Sequence, residues 1–264
     1  MECSNANIMS HFGFRFENGS AHTARTMMLE DLQFLMSYVR NPDSSKSDYL
    51  KAIVEENCLA KRSLKNRTLT SRHLVYLYSL DPSITIFRAL RYFWERDIGG
   101  QPLLALLCTY SRDSLLRMSA PFIIQFIEGA AVSREALEEY IDEKEPDRFS
   151  KATLKSTAQN LNATWTKSGH LTGKATKTRS KAVATSGSVS YALFLGYLTG
   201  IRGEALFMTE YTHLLDCSVA RSIELAEEAS RRGWIVFKRI GKVMEVQFPN
   251  LLTAQEREWI HEQD

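Results

Sequence analysis

Apolar residues return at helical spacing along most of this chain, and apolar–polar alternation is confined to its C-terminal end. A period near 3.6 buries one stripe of a helix, whereas a period of 2 buries one face of a strand. The pattern restricts the fold to mainly α with a small β-hairpin. Met28, Leu32, Leu35, Met36 and Val39 mark the first amphipathic helix, which Asn41-Pro42-Asp43 stops. A short helix from Asp48 to Asn57 presents Leu50, Ile53 and Val54. The next, from Ser63 to Leu80, carries Leu69, His73, Tyr76, Leu77 and Leu80 on one face, with Arg67 and Ser71 opposite. Further helices span Ile84 to Glu95, Pro102 to Tyr110 and Ser133 to Lys144, with Pro121 opening another at Phe122 to Ile127. Ser150 caps a helix bearing Leu154, Ala158, Leu161 and Trp165.

The polar run Asp142 to Asp147 is the best boundary, separating a helical N-terminal module (1–147) from a second module (148–264). Residues 169–188 are rich in Gly, Ser, Thr and Lys, and a stretch of that length without elements of its own is usually functional or disordered. Helices then follow at Tyr191 to Leu198, Glu204 to Leu215 and Ser218 to Arg232, the last with Val219, Ile223, Ala226 and Ala229 inward. Two strands around Gly241-Lys242 close the series, with Trp234, Val236 and Ile240 alternating on the first and Met244, Val246 and Phe248 on the second. Three helices and a hairpin are the order of a winged helix, so the second module is expected to be winged-helix-like. Residues 48–80 resemble the start of a helix-turn-helix, a pattern that an ordinary helical hairpin shares.

The net charge of +2 hides a segregated distribution. No acid lies between Asn57 and Leu80, where Lys61, Arg62, Lys65, Arg67 and Arg72 fall. None lies between Ser150 and Gly203, which includes Lys174, Lys177, Arg179 and Lys181. The acids concentrate instead from Glu128 to Asp147. Two basic tracts of this kind attract a polyanion or an acidic partner. In a winged helix, Ser218, Arg221 and Ser222 would open the recognition helix, and Lys238, Arg239 and Lys242 on the wing would neutralise phosphates. Glu224, Glu227 and Glu228 on that same helix oppose deep insertion into a groove.

Other classes fit poorly. Cys3, Cys58, Cys108 and Cys217 show no CxxC spacing, which suits free thiols in a reducing cytoplasm. The six histidines form no HExxH, and no GxSxG or P-loop is present, so no enzyme, metal or cofactor is expected. Glu2, Asn5 and Asn7 stand where a signal peptide would turn apolar, and the apolar run Val189 to Ile201 falls short of a membrane span. A cytoplasmic protein is expected.

Two stretches carry a family resemblance: Glu55 to Thr68 leading into Arg72-His73-Leu74, and Leu103 to Asp113 leading to Phe122 and Phe126. With the Trp165 helix and the hairpin after Gly233, they resemble the BrxA family of bacterial BREX phage-exclusion systems. The resemblance spans roughly residues 24–248. It implies a non-enzymatic accessory protein that binds double-stranded DNA and works with that system's methyltransferase, ATPase and phosphatase-like components. The residues alone leave two other readings open, a protein-interaction adaptor using the acidic block and a winged-helix transcription regulator.

Overall fold

The computed structural model describes residues 8–41, 43–241 and 243–261. Its helices are α1 (Leu29–Tyr38), α2 (Lys46–Val54), α3 (Leu64–Tyr78), α4 (Thr85–Arg96), α5 (Gln101–Tyr110), α6 (Ser114–Ile124), α7 (Arg134–Lys144) and α8 (Lys151–Lys167). They continue with α9 (Ser186–Leu198), a 3-10 segment (Gly203–Met208), α10 (Glu210–His213), α11 (Val219–Arg231) and α12 (Ala254–His261). One capping chemistry starts many of them. Ser63, Asp113, Ser133, Ser150, Thr185 and Ser218 each accept a hydrogen bond from the backbone N–H three residues on, satisfying a donor that the helix itself leaves unpaired.

The centre of the fold is α9. Nearly every residue from Ser186 to Leu198 is buried, as befits a helix apolar on all sides. It packs on α4 and α5 and also on α10 and α11. Tyr191 Oη donates to the Ile86 carbonyl at 3.0 Å. Asp97 accepts from Gly187 N in the first turn of α9 (2.8 Å) and from Gly100 N just before α5 (3.1 Å), so one carboxylate anchors two helix starts. A Cβ on Gly187 would lie 2.4 Å from that carboxylate, which explains the glycine.

The core is one continuous cluster that includes Leu32, Leu104, Leu161, Phe194 and Ala226. The acidic run at 142–147 is therefore not a gap between separate cores. It ends α7 and turns into α8, and those two helices pack on each other.

Several local expectations are corrected. Pro121 lies inside α6 rather than opening a helix. The inward face of α2 is Tyr49, Ala52 and Ile53, and that of α3 is Thr70, Ser71, Leu74, Leu77 and Tyr78, leaving Leu69 exposed. Thr70 and Ser71 are buried hydroxyl residues, which a hydrophobic count overlooks. The stretch 169–188 is ordered into strands β2 (Leu171–Thr172) and β3 (Lys177–Arg179), joined by β1 (Ala131–Val132) in a sheet of order β1-β3-β2.

The C-terminal hairpin is β4 (Val236–Ile240) with β5 (Val243–Gln247). Met244 and Val246 are buried as expected, but β4 is shifted by one residue. Phe237 faces Val246 across the pair and packs on Phe207, with ring centres 5.7 Å apart. Ile235 is buried, while Ile240 and Val243 flank the turn at 83 % and 74 % exposure. Among the described residues no helix is long and apolar enough to cross a membrane.

Candidate nucleic-acid interface

The first basic tract straddles the α2–α3 connection, residues 55–63, which is longer than the tight turn expected of a helix-turn-helix. Lys61 is half-buried, and its Nζ donates to Asp31 Oδ1 of α1 at 2.8 Å. Arg67 Nη1 donates to the Val54 carbonyl at the end of α2, 3.2 Å away. These two side chains hold helices together. Arg62, Lys65 and Arg72 are exposed, with no carboxylate at ion-pair distance among the described residues.

Beside this tract lies a polar hollow of about 440 Å³, lined by Arg25, Glu30, Asp31, Lys61 and Asn66 together with Asn160 and Lys167 of α8. Distant parts of the chain thus meet here, the first tract and the start of the second. Lys167 is paired with Glu30. Burial pushes the Glu30 carboxyl up, but the Lys167 contact outweighs it and holds the group below the usual range. A second hollow, about 570 Å³, opens at α8 between the start of α7 and the β2–β3 turn, with Arg134, Lys174 and Lys177 on its walls. Asn160, Ala163 and Lys167 share one stripe of α8. Ala163 borders the second hollow and its two neighbours the first. The hollows therefore flank a common ridge.

The remainder of the second tract divides by burial. Lys174 is exposed at the β2–β3 turn. Lys177 Nζ donates to the Gly173 carbonyl at 2.6 Å, and burial lowers its pKa. Lys181 is exposed, 3.8 Å from Glu128. Arg179 is a correction: it is 5 % exposed and bound to Asp216 through both terminal nitrogens, so it is not available to a phosphate.

At the start of α11, Ser218 caps the helix and Arg221 is exposed, its Nη1 donating to Glu224 at 2.8 Å. Ser222 is a second correction. It is 2 % exposed with Oγ 3.2 Å from Cys217 Sγ, packed inward alongside Ile223. Val219, expected inward, is 42 % exposed, so the buried stripe is turned relative to the expectation. On the hairpin, Lys238 lies 4.0 Å from Glu245, and exposed Arg239 donates from Nε to the Gly241 carbonyl at 3.3 Å. Lys242 lies outside the described residues. The hairpin packs on α11 and the 3-10 segment, away from the α8 ridge.

A buried polar cluster escaped sequence reasoning. His22 Nδ1 lies 3.1 Å from Asp113 Oδ1, and His22 Nε2 lies 3.0 Å from Thr164 Oγ1. Asp113 also accepts from Ser20 Oγ (2.7 Å) and Ala21 N (2.8 Å). Burial raises the Asp113 carboxyl, but His22 and these hydrogen bonds prevail and keep it below its ordinary value. An acid, an imidazole and a hydroxyl in line resemble a nucleophilic triad. All three are 0 % exposed, and Thr164 Oγ1 already accepts from Met27 N at 2.9 Å, so no substrate reaches the hydroxyl. The cluster pins the N-terminal segment to α6 and α8. The only trace in the sequence was Asp113 standing before Ser114 as a helix cap.

Among the described residues no group of His, Cys, Asp and Glu is placed to hold a metal ion. In comparison with known proteins, the chain matches no protein-family model and no curated protein.

Proposed function

We propose that this chain binds duplex DNA without an enzymatic step, largely through phosphate contacts, as an accessory component of a bacterial phage-exclusion system of the BREX type. The observation that carries the DNA reading is the meeting of the two acid-free tracts at α8, where Lys61 and Lys167 share one hollow. Arg62 and Lys65 are exposed in the same tract and Arg72 is exposed on another face of α3, none of the three with a carboxylate partner among the described residues. Exposed ion pairs such as Lys167–Glu30 contribute about 0–1 kcal/mol, so a phosphate competes for the lysine at little cost. The BREX assignment, with a methyltransferase, an ATPase and a phosphatase-like protein as partners, rests on the sequence resemblance. The order α9, α10, α11 and hairpin supports a winged-helix reading in which Arg221, Lys238 and Arg239 add secondary contacts.

The test compares two charge-reversed proteins in duplex binding, Arg62→Glu/Lys65→Glu/Arg72→Glu and Lys238→Glu/Arg239→Glu. The first is expected to lose roughly 100-fold or more in affinity, and the second less. Unchanged binding by the first protein contradicts the reading. A second reading, docking of a basic partner protein, is favoured by one surface: Glu139, Asp142 and Glu143 of α7 are exposed. It predicts a co-purifying partner that is lost on reversing those acids.

A further inference from the structure

The hollow between α7, α8 and the β2–β3 turn has the composition of a ligand site. Its volume of about 570 Å³ is in the range of small-molecule pockets. Lys174 and Lys177 supply cations, whereas Arg134 is paired with both Glu135, the acid on the wall, at 2.5 Å and Glu138 at 2.7 Å. Lys177 spends one N–H on the Gly173 carbonyl, and an ammonium has two more. The hollow also adjoins the first turn of α7, where backbone dipoles favour an anion.

A cationic wall alone indicates little more than an anion. The second, independent observation is Asn162, which lines the hollow from α8. Its residue is 4 % exposed, yet its carboxamide oxygen has no hydrogen-bond partner. Leaving such a buried acceptor unpaired is costly. Gln159 lines the same hollow as a second amide, and the carboxamide of an Asn turns on a soft torsion. A ligand that satisfies this arrangement carries a phosphate at one end and an N–H donor at the other.

We propose that this hollow binds a single nucleotide unit, its phosphate on Lys174 and Lys177 and its base edge on Asn162 and Gln159. The same chemistry is offered by a free nucleoside monophosphate and by a nucleotide displaced from a DNA strand. The site stands apart from the Arg62–Lys65–Arg72 surface, so it does not depend on the duplex-binding reading.

The full chain is titrated calorimetrically with nucleoside 5′-monophosphates, with inorganic phosphate, and with duplexes that are either perfectly paired or carry one unpaired nucleotide. A monophosphate is expected to bind at least 10-fold more tightly than inorganic phosphate. Lys174→Glu/Lys177→Glu is expected to weaken both ligands. Asn162→Leu, which keeps the branching of the side chain and removes its polar atoms, should weaken the nucleotide about 10-fold while leaving phosphate unchanged, and circular dichroism checks that each variant is folded. Tighter binding of the unpaired duplex identifies the strand as the source, whereas equal binding of the two duplexes identifies the free nucleotide. Absence of nucleotide binding, nucleotide binding no tighter than phosphate, or binding indifferent to folded Asn162→Leu overturns the proposal. Loss of duplex affinity in Arg62→Glu/Lys65→Glu/Arg72→Glu with intact nucleotide binding shows that the two sites are separate.

Discussion

Asp216 accepts from Arg179 through both carboxylate oxygens, at 2.5 and 2.7 Å, and so ties β3 to the turn that leads into α11. Asp216 also accepts from Ala182 N at 3.2 Å. Burial raises its carboxyl, but the hydrogen bonds from Arg179 and Ala182 N outweigh that and hold it below the usual range. Removing one partner leaves the other charge buried and alone. Arg179→Ala is expected to lower unfolding free energy by roughly 3–5 kcal/mol, against less than about 0.5 kcal/mol for exposed Lys181→Ala. Urea unfolding of the two variants checks this, and equal losses would show that Arg179 is not structural.

His170 gives the same region a pH dependence. It is 0 % exposed, and Leu214 O lies 3.0 Å from its Nε2. A carbonyl only accepts, so Nε2 carries the proton in the neutral ring. Burial lowers its pKa, with Asp216 opposing and Arg179 assisting. The unfolded chain therefore takes up a proton near pH 6.5 that the folded protein refuses. Stability is full above that pH and falls as pH drops below it, by at most about 1.4 kcal/mol per pH unit from this group. Between pH 6.5 and 5, His170→Gln should show a flatter stability profile than the parent protein. An unchanged slope refutes the assignment.

Glu30 restrains binding if Lys167 reaches phosphate. Glu30→Gln removes the carboxylate that holds Lys167 and leaves the hollow otherwise intact. Duplex affinity is expected to rise several-fold, with about one more ion released in the salt dependence. A filter-binding series at several salt concentrations measures both. Weaker binding in the variant would place the acid, rather than the lysine, in contact with the partner.

Much of the helical framework was legible because caps and stripes are local. Ser63, Ser133, Ser150 and Ser218 each precede the helix they cap, and Leu161 with Trp165 sits on the buried stripe of α8. What failed depends on tertiary pairing. The phase of β4 is set by Phe237 meeting Val246 and Phe207, which no alternation in β4 alone reveals. The stretch 169–188 looked unstructured because its order comes from pairing with β1 and from burying Arg179 on a partner far along the chain. At the candidate site, the sequence supplied the basic tracts. It could not separate the exposed Arg62, Lys65 and Arg72 from Lys61 and Arg67, which are engaged in helix packing. Asn162 carried no signal, since an amide inside an amphipathic helix looks like any polar neighbour.

The most direct test of the central claim is duplex affinity as a function of salt, on random and mixed-sequence DNA. If cations of the α3–α8 surface neutralise about five phosphates, log K falls against log salt with a slope of about −4.5, largely independent of sequence. A slope near zero, or no binding at low salt, contradicts the account.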